Sequence, residues 1–117
     1  MGAAWGSATA LNFPPFNTTG FGDTQPYFDG TQLILRNGSK LLSYAYNLGP
    51  MANPASWAAP VTLFAPANVA PQAGSVVVVG EPTVATIGGQ EVLFFVYGIH
   101  QTNGSVNLRA GYVKKGP

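Results

Sequence analysis

The sequence predicts an all-β fold built from two copies of one four-stranded antiparallel unit, on three observations. Ten prolines and fifteen glycines interrupt the chain every few residues and leave no interval suited to a capped amphipathic helix. Between the interruptions lie short runs rich in β-branched and aromatic residues, the composition of strands. Blocks of those runs then recur along the chain in the same order.

The predicted strands are Gln32 to Leu35, Lys40 to Tyr46, Val61 to Phe64, Ser75 to Val79, Glu91 to Tyr97 and Val106 to Val113. Asn37-Gly38 and Asn103-Gly104 read as tight hairpin turns, because Asn and Gly tolerate the positive φ of a type I′ turn. The repetition has three blocks. Ala3-Ala4-Trp5 matches Ala55-Ser56-Trp57, with Leu11 on Leu63 and Pro14 on Pro66. Gly22-Asp23 matches Gly80-Glu81. Gly38-Ser39, Leu42 and Tyr46 match Gly104-Ser105, Leu108 and Tyr112.

Each copy reads as four successive strands. The first follows an acidic residue (Asp23 to Phe28; Glu81 to Ile87), the second is apolar, and the third follows the Asn-Gly turn and ends at tyrosine. The fourth begins with tryptophan, Trp57 to Phe64 in the first copy. The second copy has no such strand after Tyr112, whereas Trp5 to Leu11 is a Trp-led strand with no three strands before it. The expectation is a single domain over residues 1–117, with repeat 1 at about 22–66 and repeat 2 at about 80–113. Residues 5–11 of a neighbouring chain would complete the second repeat, making the protein a homo-oligomer.

Composition narrows the function. Apolar residues make up 46% of the chain and charged residues only 8%, about a third of the usual share. A surface so poor in charge suits self-association. The five bases, Arg36, Lys40, Arg109, Lys114 and Lys115, are scattered, so the basic stripe that tracks phosphates is missing and nucleic acid is not an expected partner. Without cysteine there is neither a disulfide framework nor a thiolate metal site. Met1 to Leu11 has no basic segment followed by a continuous apolar one, so no signal peptide is expected. No apolar run, the four valines Val76 to Val79 included, approaches the roughly 18 residues of a membrane span.

The two units are of propeller-blade length. The acidic residue near proline (Asp23-Thr24-Gln25-Pro26; Glu81-Pro82), the apolar second strand and the outer strand Ser56-Trp57-Ala58-Ala59-Pro60 resemble blades of sialidase and glycosidase type propellers. In length and organisation the chain is also similar to small two-blade lectins that oligomerise into sugar-binding propellers. The resemblance implies closure by further copies, a trimer giving six blades as the preferred form. It also implies glycan partners and an extracellular or surface-associated setting. An excerpt of a longer propeller is the alternative.

Candidate ligand-binding residues follow, each beside a structural role. Trp5 and Trp57 could stack on sugar faces or anchor the outer strand in the core. Asp23 and Glu81 hold equivalent positions, and paired carboxylates suit glycoside hydrolysis. Glycosidase propellers draw their catalytic set from three blades, however, so hydrogen bonding to ligand hydroxyls or turn capping is the expected role. Arg36 and Arg109 could pair with those acids or grip hydroxyls. Tyr46 and Tyr112, ending the third strands, join the set. His100, the single histidine, lies in a hairpin segment, Gly98 to Asn103, lengthened only in the second copy. Added loops often carry function. No metal site or cofactor is expected. Asn17-Thr18-Thr19, Asn37-Gly38-Ser39 and Asn103-Gly104-Ser105 fit the glycosylation sequon, the last two read as turns.

The leading expectation is a non-enzymatic, multivalent carbohydrate-binding module. A structural self-assembly protein of a virion or extracellular filament is the alternative, and a glycosidase-type propeller fragment the third reading.

Overall fold

The computed structural model describes residues 4–11, 13–16, 26–37, 40–68 and 74–116. It is all-β, with no α-helix among those residues. The first sheet runs β1 (Tyr27–Phe28), β2 (Gln32–Asn37), β3 (Lys40–Ala45) and β4 (Val61–Phe64). The second runs β5 (Ser75–Ile87), β6 (Gln90–His100) and β7 (Val106–Lys114). Each sheet is a meander whose spatial order equals its chain order, and every pairing is antiparallel.

Alternation of side chains across the pleat sets the core. In the first sheet Leu33 and Leu35 lie opposite Tyr44 and Leu42, and together with Phe16 and Trp57 they form a buried cluster on one face. Ile34 and Leu41 point the other way and join Phe64 with Leu93 and Phe95 of β6, tying the two sheets together. The continuous run Leu33-Ile34-Leu35 therefore marks a strand covered on both faces. Leu11, Phe13 and Phe16 supply the outer cover. The second sheet buries Leu93 and Phe95 inward, and Gly111 on β7 leaves room for the rings of Phe95 and Tyr97, which a Cβ there would strike at 3.2 and 2.9 Å.

Tyr46 and Leu42 correspond in the repeat to Tyr112 and Leu108, and both pairs lie on the face turned away from the other sheet. The sheets thus meet through equivalent faces, as in a sandwich. Successive blades of a ring instead stack one face on the opposite face of the next. Among the described residues the two sheets close no propeller.

Several expected boundaries move. Trp5 to Leu11 forms no strand within its own chain, where β4 already occupies the outer edge of β3. The fourth strand starts at Val61 and not at Trp57, since a 3₁₀ turn at Pro54–Ser56 and Pro60, which has no N–H, interrupt the ladder. Of the first expected strand, Tyr27–Phe28 is observed, and residues 17–25, with Asp23 and Asn17-Thr18-Thr19, lie outside the described residues. Gly38 and Ser39 lie outside them too, between the paired Asn37 and Lys40. The two expected strands around Gly80-Glu81 are one strand, β5, whose register shifts between Val78 and Thr83. Asn103-Gly104 is not a type I′ turn: only Gly104 has positive φ, following a turn closed by Gly104 N–H to the Gln101 carbonyl at 3.0 Å.

Candidate functional site

The connection from β3 to β4 fixes the aromatic residues. Its peptide groups are held by short side chains, as a loop without a ladder requires. Asn47 Oδ1 accepts from the Gly49 N–H at 3.0 Å, and Asn47 Nδ2 donates to the Ala55 carbonyl at 2.9 Å. Asn53 Oδ1 accepts from the Ala55 N–H, and the buried Ser56 hydroxyl donates to the Pro50 carbonyl at 2.7 Å. The path ends with Trp57, whose indole N–H donates to the Met51 carbonyl at 2.9 Å and whose backbone forms an isolated antiparallel bridge with Tyr46. The Tyr46 hydroxyl donates to the Gly49 carbonyl.

These bonds bring the rings of Tyr46 and Trp57 to 4.7 Å between centroids, with Phe28 edge-on to both at 5.7 and 6.4 Å. Beside them lies a cleft of about 530 Å³ walled by Phe28, Trp57, Met51, Leu11 and the hydroxyl-bearing Ser7 and Thr9. No charged side chain lines it among the described residues. Trp57 is only 8% exposed and belongs to the core, whereas Phe28 is 41% exposed and presents the accessible ring. A second cleft, of about 570 Å³, opens between the sheets near Gln32, Ser43, Glu91 and Lys115. It has no aromatic wall, and four of its polar groups bind in pairs: Ser43 to Gln32 at 2.6 Å, Lys115 to Glu91 at 3.6 Å.

Of the expected site residues, Tyr46 and Trp57 meet in this stack. Trp5 is fully exposed in an extended segment. Glu81 sits in the middle of β5 at the register shift, with φ +54°, rather than at a strand's channel end. Bulged positions of this kind re-aim a side chain. Arg36 lies on β2 opposite Leu41, and Arg109 is exposed on β7, donating to the Leu108 carbonyl at 3.2 Å. His100 is the last residue of β6, paired with both Ser75 and Val106, so the first half of the expected loop segment is strand, with Ile99 fully buried, and only Gln101, Thr102 and Asn103 lie in the connecting turn. Tyr112 is 60% exposed, far along the sheet from His100.

Sequence reading missed Phe28, Ser7 and Thr9. The alternation of Tyr27 inward and Phe28 outward was readable, but Phe28 falls two residues from a turn where periodicity is too short to register. It also missed Asp29, which caps that turn. Oδ1 accepts from the Thr31 N–H, the Thr31 hydroxyl and the Gln32 N–H, and Oδ2 from Gln32 Nε2. Desolvation raises the Asp29 carboxyl, but the hydrogen bonds from the Gln32 side chain, the Thr31 backbone and side chain and the Gln32 backbone outweigh it and hold it below the usual 3.8.

Among the described residues no group of three His, Cys, Asp or Glu side chains is placed to hold a metal, and no helix is long and apolar enough to cross a membrane. No family model, curated protein or solved structure matches the chain.

Proposed function

We propose that the chain is a non-enzymatic carbohydrate-binding module that works as a homo-oligomer. The carrying observation is the accessible Phe28 ring, backed by Tyr46 and Trp57, beside a cleft with two hydroxyl side chains and no charge among its described lining. Aromatic rings match the apolar C–H face of a pyranose, and hydroxyls answer its polar edge. A single such platform binds weakly, and repetition in an oligomer raises effective affinity without new contacts.

The sequence repeat suggests three chains closing a six-bladed ring. The packing of equivalent faces speaks instead for a two-layer subunit that joins others through its second sheet. Glycan-array screening of the oligomer tests the binding reading. Phe28→Ala is expected to lower affinity for any captured glycan about tenfold, the order of one lost aromatic contact, without unfolding the chain. Absence of binding to every glycan class counts against it.

A structural self-assembly role is favoured by a different observation. Ile87, Phe94, Val106, Leu108 and Tyr112, five of the ten large exposed apolar side chains among the described residues, share the outer face of the second sheet. Electron microscopy distinguishes the two, since an interface that fails to close propagates as a filament. The glycosidase reading has less support. Asp23 lies outside the described residues, and Glu81 lines neither of the two clefts described above.

A further inference from the structure

The second sheet ends at β7. Among the described residues no strand pairs with its outer edge, leaving nine residues of backbone, Val106–Lys114, with one unused side. Open edges of this length are templates for another strand. In the first sheet the corresponding edge, that of β3, is filled by Trp57 and β4. Trp57 bridges Tyr46 and stacks on it, and beyond it Val61 pairs with Ser43 and Thr62 with Leu42. Burial of that pair leaves Trp57 at 8% exposure.

The repeat places Tyr112 where Tyr46 stands, Leu108 where Leu42 stands and Arg109 where Ser43 stands. It likewise places Trp5, Thr9 and Ala10 where Trp57, Val61 and Thr62 stand. Yet Tyr112 is 60% and Leu108 62% exposed, and Trp5 is 100% exposed, in a segment of which residues 4–10 are all exposed. Among the described residues, one chain therefore carries an acceptor edge with no strand on it and a Trp-led segment with no edge.

We infer that β7 accepts residues 4–10 of a second copy of this chain as an added antiparallel strand, with Trp5 of that copy covering Tyr112. In the register of the first sheet, Thr9 of the second copy lies opposite Arg109, and its Ala10 opposite Leu108. Backbone hydrogen bonds along the edge supply affinity, and the Trp5 ring, pocketed over Tyr112 and Phe94, sets the register. The low charge of the chain leaves little repulsion between copies. This interaction deepens the homo-oligomer of the proposed function. Donation takes Ser7 and Thr9 off the cleft, so in the assembled form the sugar platform is Phe28 backed by Tyr46 and Trp57, and sugar stacking and assembly separate by mutation.

Solution mass and cross-linking test it. The wild type is expected at a multiple of 12.1 kDa, and Trp5→Ala and Tyr112→Ala each at the mass of one chain with the strand signal of circular dichroism retained. Because the chain has no cysteine, Thr9→Cys mixed with Arg109→Cys should give a covalent pair on oxidation, while Leu48→Cys mixed with Arg109→Cys should not. Phe28→Ala should keep the oligomer mass whatever it does to glycan binding. A wild-type monomer overturns the inference. So does an oligomer that survives Trp5→Ala and Tyr112→Ala but dissociates with Phe94→Lys, since that result assigns assembly to stacked sheet faces.

Discussion

The two sheets share a meander and differ in what holds them. The first has short strands, of two, six, six and four residues, and is packed on both faces. The second has strands of thirteen, eleven and nine residues, is packed on one face and shows the other to solvent. Short ladders offer few backbone hydrogen bonds, so the first sheet depends on side-chain burial, each large apolar group adding roughly 2 kcal/mol. The second depends on its long ladders and one-sided core. Equivalent tyrosines carry different burdens as a result: Tyr46 sits inside an aromatic stack, and Tyr112 stands on a surface.

The largest expected effect tests that contrast. Trp57→Ala removes a buried indole packed against Phe16 at 5.0 Å and Tyr46, together with its bond to Met51, and should cost about 3–5 kcal/mol. Tyr112→Ala removes a ring from the bare face, and in a dilute, dissociated chain should change stability by no more than about 0.5 kcal/mol. Urea unfolding of both variants at one concentration measures the difference. Equal costs would mean that the second sheet's outer face is as well packed as the first's.

The same contrast explains what could be read from residues. The meanders and their order were legible, because β-branched runs between Gly and Pro punctuation mark strands whatever covers them. Coverage was not legible. Leu33-Ile34-Leu35 announces burial on both sides only once Phe13 and Phe16 are seen folded over it, and nothing local in Phe13-Pro14-Pro15-Phe16 says where it docks. Trp5 and Trp57 hold one repeat position, yet one is fully exposed and the other is core: Trp57 bridges Tyr46, whereas Trp5 lies in an exposed extended segment. Of the site, Tyr46 and Trp57 could be named in advance, whereas Phe28 depends on a loop that folds back from residue 46 to 57. His100 misled for a local reason: Gly98 looks like a turn residue, but it is buried in the middle of the ladder between Val77 and Leu108.

A smaller effect separates the turn of the first sheet from its core. Asp29→Ala deletes the acceptor of four hydrogen bonds at an exposed turn and should cost about 1 kcal/mol near neutral pH. Its carboxyl is depressed in the folded chain, so the stabilisation is present above the ordinary value of 3.8 and is lost as pH falls through the lower folded value. The gap between wild type and Asp29→Ala in urea midpoint should therefore be constant above that range and shrink below it. A gap that persists undiminished in strong acid would assign the cost to backbone conformation instead of the carboxylate.

The smallest effect has the opposite sign and lies in the loop that positions Trp57. Leu48 has φ +70° and is 79% exposed, so it bears the steric cost of the left-handed region with almost no burial in return. Its neighbours require that conformation, because the turn it occupies carries the bond from the Gly49 N–H to Asn47 Oδ1 and the bond from the Tyr46 hydroxyl to the Gly49 carbonyl. Leu48→Asn keeps a side chain that restricts the unfolded state while tolerating positive φ, and should raise stability by about 0.5 kcal/mol. Leu48→Val, β-branched and ill-suited to this region, should lower it by a similar or larger amount. The aromatic stack responds to neither change, so Trp57 fluorescence in the folded state should match wild type in both variants. A spectral shift would show that the loop's strain is coupled to the placement of Tyr46 and Trp57, and that the first sheet's outer packing is bought at residue 48.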